Sequence, residues 1–168
     1  MKKSTFIAAG IAAAAILLIV VMVAGINNRA ISLEEQISGA EAQINVAEKR
    51  RVDLIYNLVD TVTAYQEYEG ETMLAITEAR AAAQAGDADE AMTVLNAVSE
   101  QYPELKANEN YQQLMTELAL TENSIAQYRN NYNEQVKAYN KCVRQFPNSF
   151  VLGIMGYAPI ETQYTDYD

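Results

Sequence analysis

Histidine is missing altogether, and with it the commonest general base and the commonest nitrogen ligand for transition metals. Tryptophan is missing too, and the only cysteine is Cys142. A lone thiol cannot close an intramolecular disulfide or a CxxC site, so redox compartment is not legible from pairing. Cys142 falls beside Val143 in a helical apolar pattern, which predicts a buried, inert thiol. Helix breakers are equally scarce. Between Gly39 and Pro147 they are Gly70, Gly86 and Pro103, which excludes a turn-rich β fold. Only 12 residues are basic against 22 acidic ones. Without Lys2 and Lys3 the remainder carries a formal charge of −12, which argues against nucleic acid or an anionic lipid surface as the main partner.

What is abundant is apolar sequence of helical period. Residues 6–26 contain no charge and no strongly polar group. At about 1.5 Å per residue they span roughly 30 Å, the thickness of a bilayer's hydrocarbon core. The run is longer than the apolar core of a signal peptide, so we read it as a permanent anchor surrounded by membrane lipid. Lys2, Lys3 and the terminal amine precede it and only Arg29 follows closely. The positive-inside rule then predicts a single pass with a cytoplasmic N-terminus and residues 27–168 outside. Within the span, Ala8 with Ala12 and Gly10 with Ala14 give small-residue pairs that permit close helix–helix approach.

Beyond the span, Ile37, Ala40, Ile44 and Ala47 form one stripe, resumed after Arg51 by Leu54, Leu58, Val62 and Tyr65. A second runs through Tyr111, Leu114, Leu118, Thr121, Ile125, Tyr128, Tyr132, Val136, Tyr139, Val143 and Phe146. Each stripe needs a partner, and each can serve the other. The expected fold is all-α: an N-terminal transmembrane helix continuing into an elongated antiparallel bundle of three to four helices. A cytoplasmic tail (1–5) precedes the span (6–26), the bundle occupies 27–147, and a tail (148–168) follows, partly apolar and then acidic. The first helix is expected to reach about Ala85, with a bend near Gly70, and so to project roughly 80 Å beyond the membrane. Gly86-Asp87 should be a turn, with Asp87 or Asp89 capping a short helix to about Gln101. A long helix from about Ala107 to Gln145 should stop before Pro147. The stretch from Gly86 through Tyr102-Pro103 is like one tetratricopeptide unit, but no copy stands about 34 residues away, so no solenoid is expected.

Lys49-Arg50-Arg51-Val52-Asp53-Leu54-Ile55-Tyr56-Asn57-Leu58-Val59 resembles the LemA family of bacterial membrane proteins. So do Tyr102-Pro103-Glu104-Leu105-Lys106-Ala107, Glu117-Leu118, Thr121-Glu122, Ile125, Arg129, Tyr132-Asn133, Val136, Tyr139-Asn140, Phe146-Pro147 and Gly156-Tyr157. The similarity runs over essentially the whole chain. Tyr56 stands where the family has Pro, Glu41 where it has Trp, and Asn45 where it has Asp. Loss of that Pro implies a straighter first helix. The resemblance implies a bacterial cell-membrane protein with an N-terminal span and a helical bundle, and no established activity.

The nearest approach to a site is a polar set: Arg51, Asp53, Asn57, Arg129, Tyr132, Asn133 and Asn140, with Arg50 and Glu122 nearby. Asp53 and Asn57 share a helix face, and Tyr132-Asn133 recurs seven residues on as Tyr139-Asn140. Such a set suits a buried network fixing the setting of packed helices, or a ligand or peptide pocket. Nothing in it singles out an acid–base pair, so no enzyme, metal or cofactor is expected. Asp87, Asp89 and Glu90 lack a calcium-loop pattern and fit a solvated helix start. Residues 150–157 are apolar but too short to span a bilayer. They suit capping of the bundle, docking on a neighbour, or the membrane surface. The expected function is a self-associating, membrane-anchored scaffold, a homo-oligomer. The alternative is a monomeric, tethered binding module using the polar set.

Overall fold

The computed structural model describes residues 2–64, 70–161 and 164, with backbone alone for 2–5. Among the described residues there are six helices and no strand: α1 (Lys2–Thr63), α2 (Gly70–Ala85), α3 (Ala88–Gln101), α4 (Pro103–Lys106), α5 (Glu109–Arg144) and α6 (Asn148–Ile154). The chain is all-α. It divides into two compact units, one of residues 42–128 and one of 1–41 with 129–168.

The 42–128 unit is built on apolar residues three and four apart. Leu54, Ile55, Leu58, Val59 and Val62 of α1 share one core with Ile76, Ala79 and Ala83 of α2, Ala91, Leu95 and Val98 of α3, and Leu118 of α5. Small residues on α2 and α3 let those helices approach closely as a hairpin. Gly86 makes the hairpin possible. Its φ of 84° is left-handed, the Asp87 N–H reaches the Ala82 carbonyl at 2.9 Å, and the Gly86 N–H reaches Ala83 at 3.1 Å. Asp87 then caps α3, its Oδ1 accepting the Glu90 N–H at 3.0 Å. Asn108 caps α5 in the same way through the Tyr111 N–H, at 3.1 Å.

α1 stops at Thr63 rather than continuing toward Ala85, and Gly70 opens α2 instead of bending a longer helix. Thr61, Val62 and Thr63 are β-branched, which weakens a helix end. The Thr61 and Thr63 hydroxyls also back-bond to the carbonyls of Asn57 and Val59, at 2.8 and 2.6 Å. Tyr65, the last member of the expected stripe, lies outside the described residues.

In the other unit, Ile26, Ala30, Ile37 and Ala40 of α1, Tyr132, Val136, Tyr139 and Val143 of α5, and Leu152 of α6 are buried. The α5 set follows a spacing of four and three, and the α1 set one of four, seven and three, which keeps to one face as well. Phe146 departs from its expected core position. α5 ends at Arg144, so Phe146 sits in the turn before α6 and points to the surface. Cys142 is buried as expected. α1 is long and apolar enough near its N-terminus to cross a membrane, and none of the described residues covers that stretch.

Candidate functional site

The seven polar residues fall into two groups, one in each unit. In the 42–128 unit, Arg51 occupies a place on α1 that its period reserves for apolar residues. Ala30, Ile37, Ile44, Arg51 and Leu58 stand seven apart, and the other four are buried. Arg51 is tolerated there because carboxylates meet it from two helices. Its guanidinium pairs with Asp89 of α3 and, through Nε, lies 2.6 Å from Glu122 Oε1 of α5. One planar cation therefore ties three helices together, a geometry suited to Arg rather than Lys. Arg50 makes a looser, exposed pair with Glu117 at 3.6 Å. Asp53 and Asn57 are exposed, so neither adds to a closed cluster.

Next to that pair lies a cleft of about 500 Å³ between α1 and α5, lined by Val46, Arg50, Glu117, Leu120, Thr121 and Tyr128 among others. Val46 and Leu120 are exposed apolar residues. It is mainly apolar, with one charge of each sign.

In the second unit, the remaining residues hold the chain's own C-terminal segment. The Asn140 amide donates to the Ile160 carbonyl at 2.7 Å, and its Oδ1 accepts the Ile160 N–H at 2.8 Å. Seven residues earlier, Asn133 Nδ2 donates to the Tyr164 carbonyl at 2.9 Å, while its buried Oδ1 has no partner among the described residues. The Tyr164 ring meets Tyr132 edge-on, with centroids 5.2 Å apart, and the Arg129 guanidinium lies 5.3 Å from its centroid. The Tyr139 hydroxyl reaches the Ala158 carbonyl at 3.2 Å and Glu34 Oε1 at 3.3 Å. Burial, then the negative charge of Glu41, raises the Tyr132 hydroxyl above its usual pKa. Burial, then Glu34, does the same for Tyr139.

Sequence reasoning found the α5 half of this arrangement through the Tyr-Asn repeat at seven. It missed Tyr157, Ile160 and Tyr164. These lie on an irregular segment whose main chain, with no period to read, makes most of the contacts. Chemically, the arrangement holds main-chain groups at Ala158, Ile160 and Tyr164 through side-chain amides and a phenol hydroxyl.

The LemA family model matches residues 40–166. This chain belongs to the LemA family. The match begins at Ala40, so the family resemblance is carried by the helices beyond the apolar run. Protein LemA of Metamycoplasma hominis is 31% identical over 134 residues, covering 73% of this chain and 61% of that protein. The chain thus spans about three-fifths of that relative's length. Magnetosome protein MamQ of Magnetospirillum gryphiswaldense is 31% identical over 67 residues, covering 40% of this chain and 25% of MamQ. An N-terminal apolar helix fits membrane anchoring in this LemA-family chain.

Proposed function

We propose that this LemA-family chain is a single-pass, non-catalytic structural protein that associates with further copies of itself. Its N-terminus is cytoplasmic and its helical units lie across the membrane. One observation carries the reading: the polar side chains best suited to bind a ligand are engaged internally. Arg51 is held by Asp89 and Glu122, and Asn133 and Asn140 by the chain's own tail. The surface also carries exposed apolar side chains, including Val46 and Leu120 beside a pair of opposite charges. A surface with both signs is complementary to itself, as a symmetric contact between copies requires. The small-residue pairs in the span, Ala8 with Ala12 and Gly10 with Ala14, support association inside the bilayer.

Light scattering and crosslinking of the full-length protein in mild detergent test this. Defined multimers are expected, and monomer alone at high concentration overturns it. Protease protection in sealed vesicles tests the orientation.

A second reading is favoured by Asn140, which binds both polar groups of one peptide unit. The alternative is a monomeric, tethered module whose α5 face receives an extended peptide. It predicts monomers together with binding of a synthetic peptide covering 156–164, abolished by Asn140→Ala.

A further inference from the structure

The end of α5 and the short α6 carry features that the bundle itself does not use. Between Glu134 and Glu161 there are three cationic side chains, Lys137, Lys141 and Arg144, and no carboxylate, in a chain of net charge −10. They recur at intervals of four and three, so they share one face of α5. All three are exposed, and none is ion-paired among the described residues. With Asn140 and Gln145 they border an open cleft of about 520 Å³.

Beside this basic face is an apolar one. Phe146, Phe150 and Ile154 follow one another at intervals of four and are 82%, 69% and 74% exposed, with Met155 exposed next to them. Leu152 of α6 is fully buried. α6 is therefore pinned to its unit by one side chain while larger ones face outward.

A hydrogen bond sets the height of this end. The Tyr157 hydroxyl donates to Asn27 Oδ1 at 3.1 Å, and Asn27 is the first residue past the apolar run. Below it, residues such as Leu18, Ile19 and Val21 are exposed among the described residues, whereas Ile26 and Ala30 are packed. The exposed apolar side chains of α6 thus stand at the level where α1 leaves the hydrocarbon. Aromatic and aliphatic groups at that level, with cations close by, are the composition of a segment lying in the bilayer interface.

We propose that α6 is a membrane-interface foot. Phe146, Phe150, Ile154 and Met155 enter the boundary between acyl chains and headgroups, and Lys137, Lys141 and Arg144 contact the phosphates of anionic phospholipid. The proposal rests on residues 6–26 crossing the same bilayer. Overall charge argues against anionic lipid as the main partner, but this stretch differs locally, because the carboxylates lie elsewhere in the sequence.

The test uses the full-length chain in lipid nanodiscs. Nitroxides are attached in a Cys142→Ala background at Phe150→Cys, Ile154→Cys and, within the span, Val20→Cys. Labels at 150 and 154 that relax with oxygen rather than with a water-soluble nickel chelate, as the label at 20 does, support the foot. Labels at 150 and 154 in water with the label at 20 in lipid overturn the foot and leave the anchor standing. All three labels in water overturn the anchor, and the foot with it. Hydrogen exchange on the unsubstituted chain guards against a misfolded variant. Anionic lipid should slow exchange at 146–155 by about fivefold relative to neutral lipid, because the attraction acts within a Debye length. Combined Lys137→Gln, Lys141→Gln and Arg144→Gln should abolish that difference. Exchange indifferent to lipid charge overturns the phosphate contacts.

Discussion

Asn140 grips both polar groups of Ile160, accepting its N–H at 2.8 Å and donating to its carbonyl at 2.7 Å. Asn140→Ala removes both bonds and should cost about 1–3 kcal/mol, since each contributes roughly 0.5–1.5. The loss should be local. Hydrogen exchange at the Ile160 amide should quicken by at least about tenfold while amides of the 42–128 core keep their protection. Asn140→Asp keeps the acceptor and sets a carboxylate against the Ile160 carbonyl, so it should release the segment as well.

Arg51 is matched to two carboxylates, and Lys cannot serve both in one plane. Arg51→Lys should lower stability by about 0.5 kcal/mol and Arg51→Ala by about 1, because Asp89 and Glu122 keep much of their hydration and the pairs are of the exposed kind. Thermal melting at low and high salt reads this, and the gap between wild type and Arg51→Ala should narrow as salt rises.

Tyr132 and Tyr139 give the fold an alkaline limit. Their folded pKa values lie above the usual 10.0, first because both are buried and second because Glu41 and Glu34 stand near them. The unfolded chain therefore releases these protons first. Stability should be flat in this respect below about pH 10 and fall as pH rises through the raised folded values. Denaturant titrations from pH 8 to 11.5 test the sign. Tyr139→Phe should shallow the alkaline decline while costing about 1 kcal/mol at neutral pH, because Glu34 and Ala158 lose a donor.

Two glycines should respond oppositely to the same change. Neither Gly39 nor Gly86 has an atom within 4 Å of a substituted Cβ, but only Gly86 has a positive φ, 84°. Gly39→Ala, inside α1, should stabilise by about 0.4–1 kcal/mol. Gly86→Ala should destabilise by about 1–2 kcal/mol, because the left-handed setting strains any side chain. Urea midpoints with unchanged slopes would check both.

The sequence was most legible where period and burial agree. Ile37, Ile44, Leu54, Leu58, Leu118, Ile125 and Val136 declared their faces by spacing alone, and all are buried. Gly86-Asp87 declared the hairpin, because a left-handed setting and a capping carboxylate are local requirements. The break after Thr63 was harder. It comes from a cluster of β-branched residues, each a small penalty, rather than from one strong breaker. Phe146 matched the α5 period, yet the helix ends two residues before it, and period cannot report where a helix stops. The α5 half of the site was visible as a repeat, while its occupant, read mainly through main chain, left little trace in side-chain identity.

The place of Arg51 in the series Ala30, Ile37, Ile44, Arg51, Leu58 has a mechanical consequence. Hydrophobic teeth alone would let α1 slide by about two turns against α3 and α5 and find an equivalent seat, as an apolar residue at 51 could take the place of Ile44. A charged tooth removes that degeneracy, because Asp89 and Glu122 stand opposite one notch. Within its unit α1 behaves as a keyed shaft, with a single axial stop.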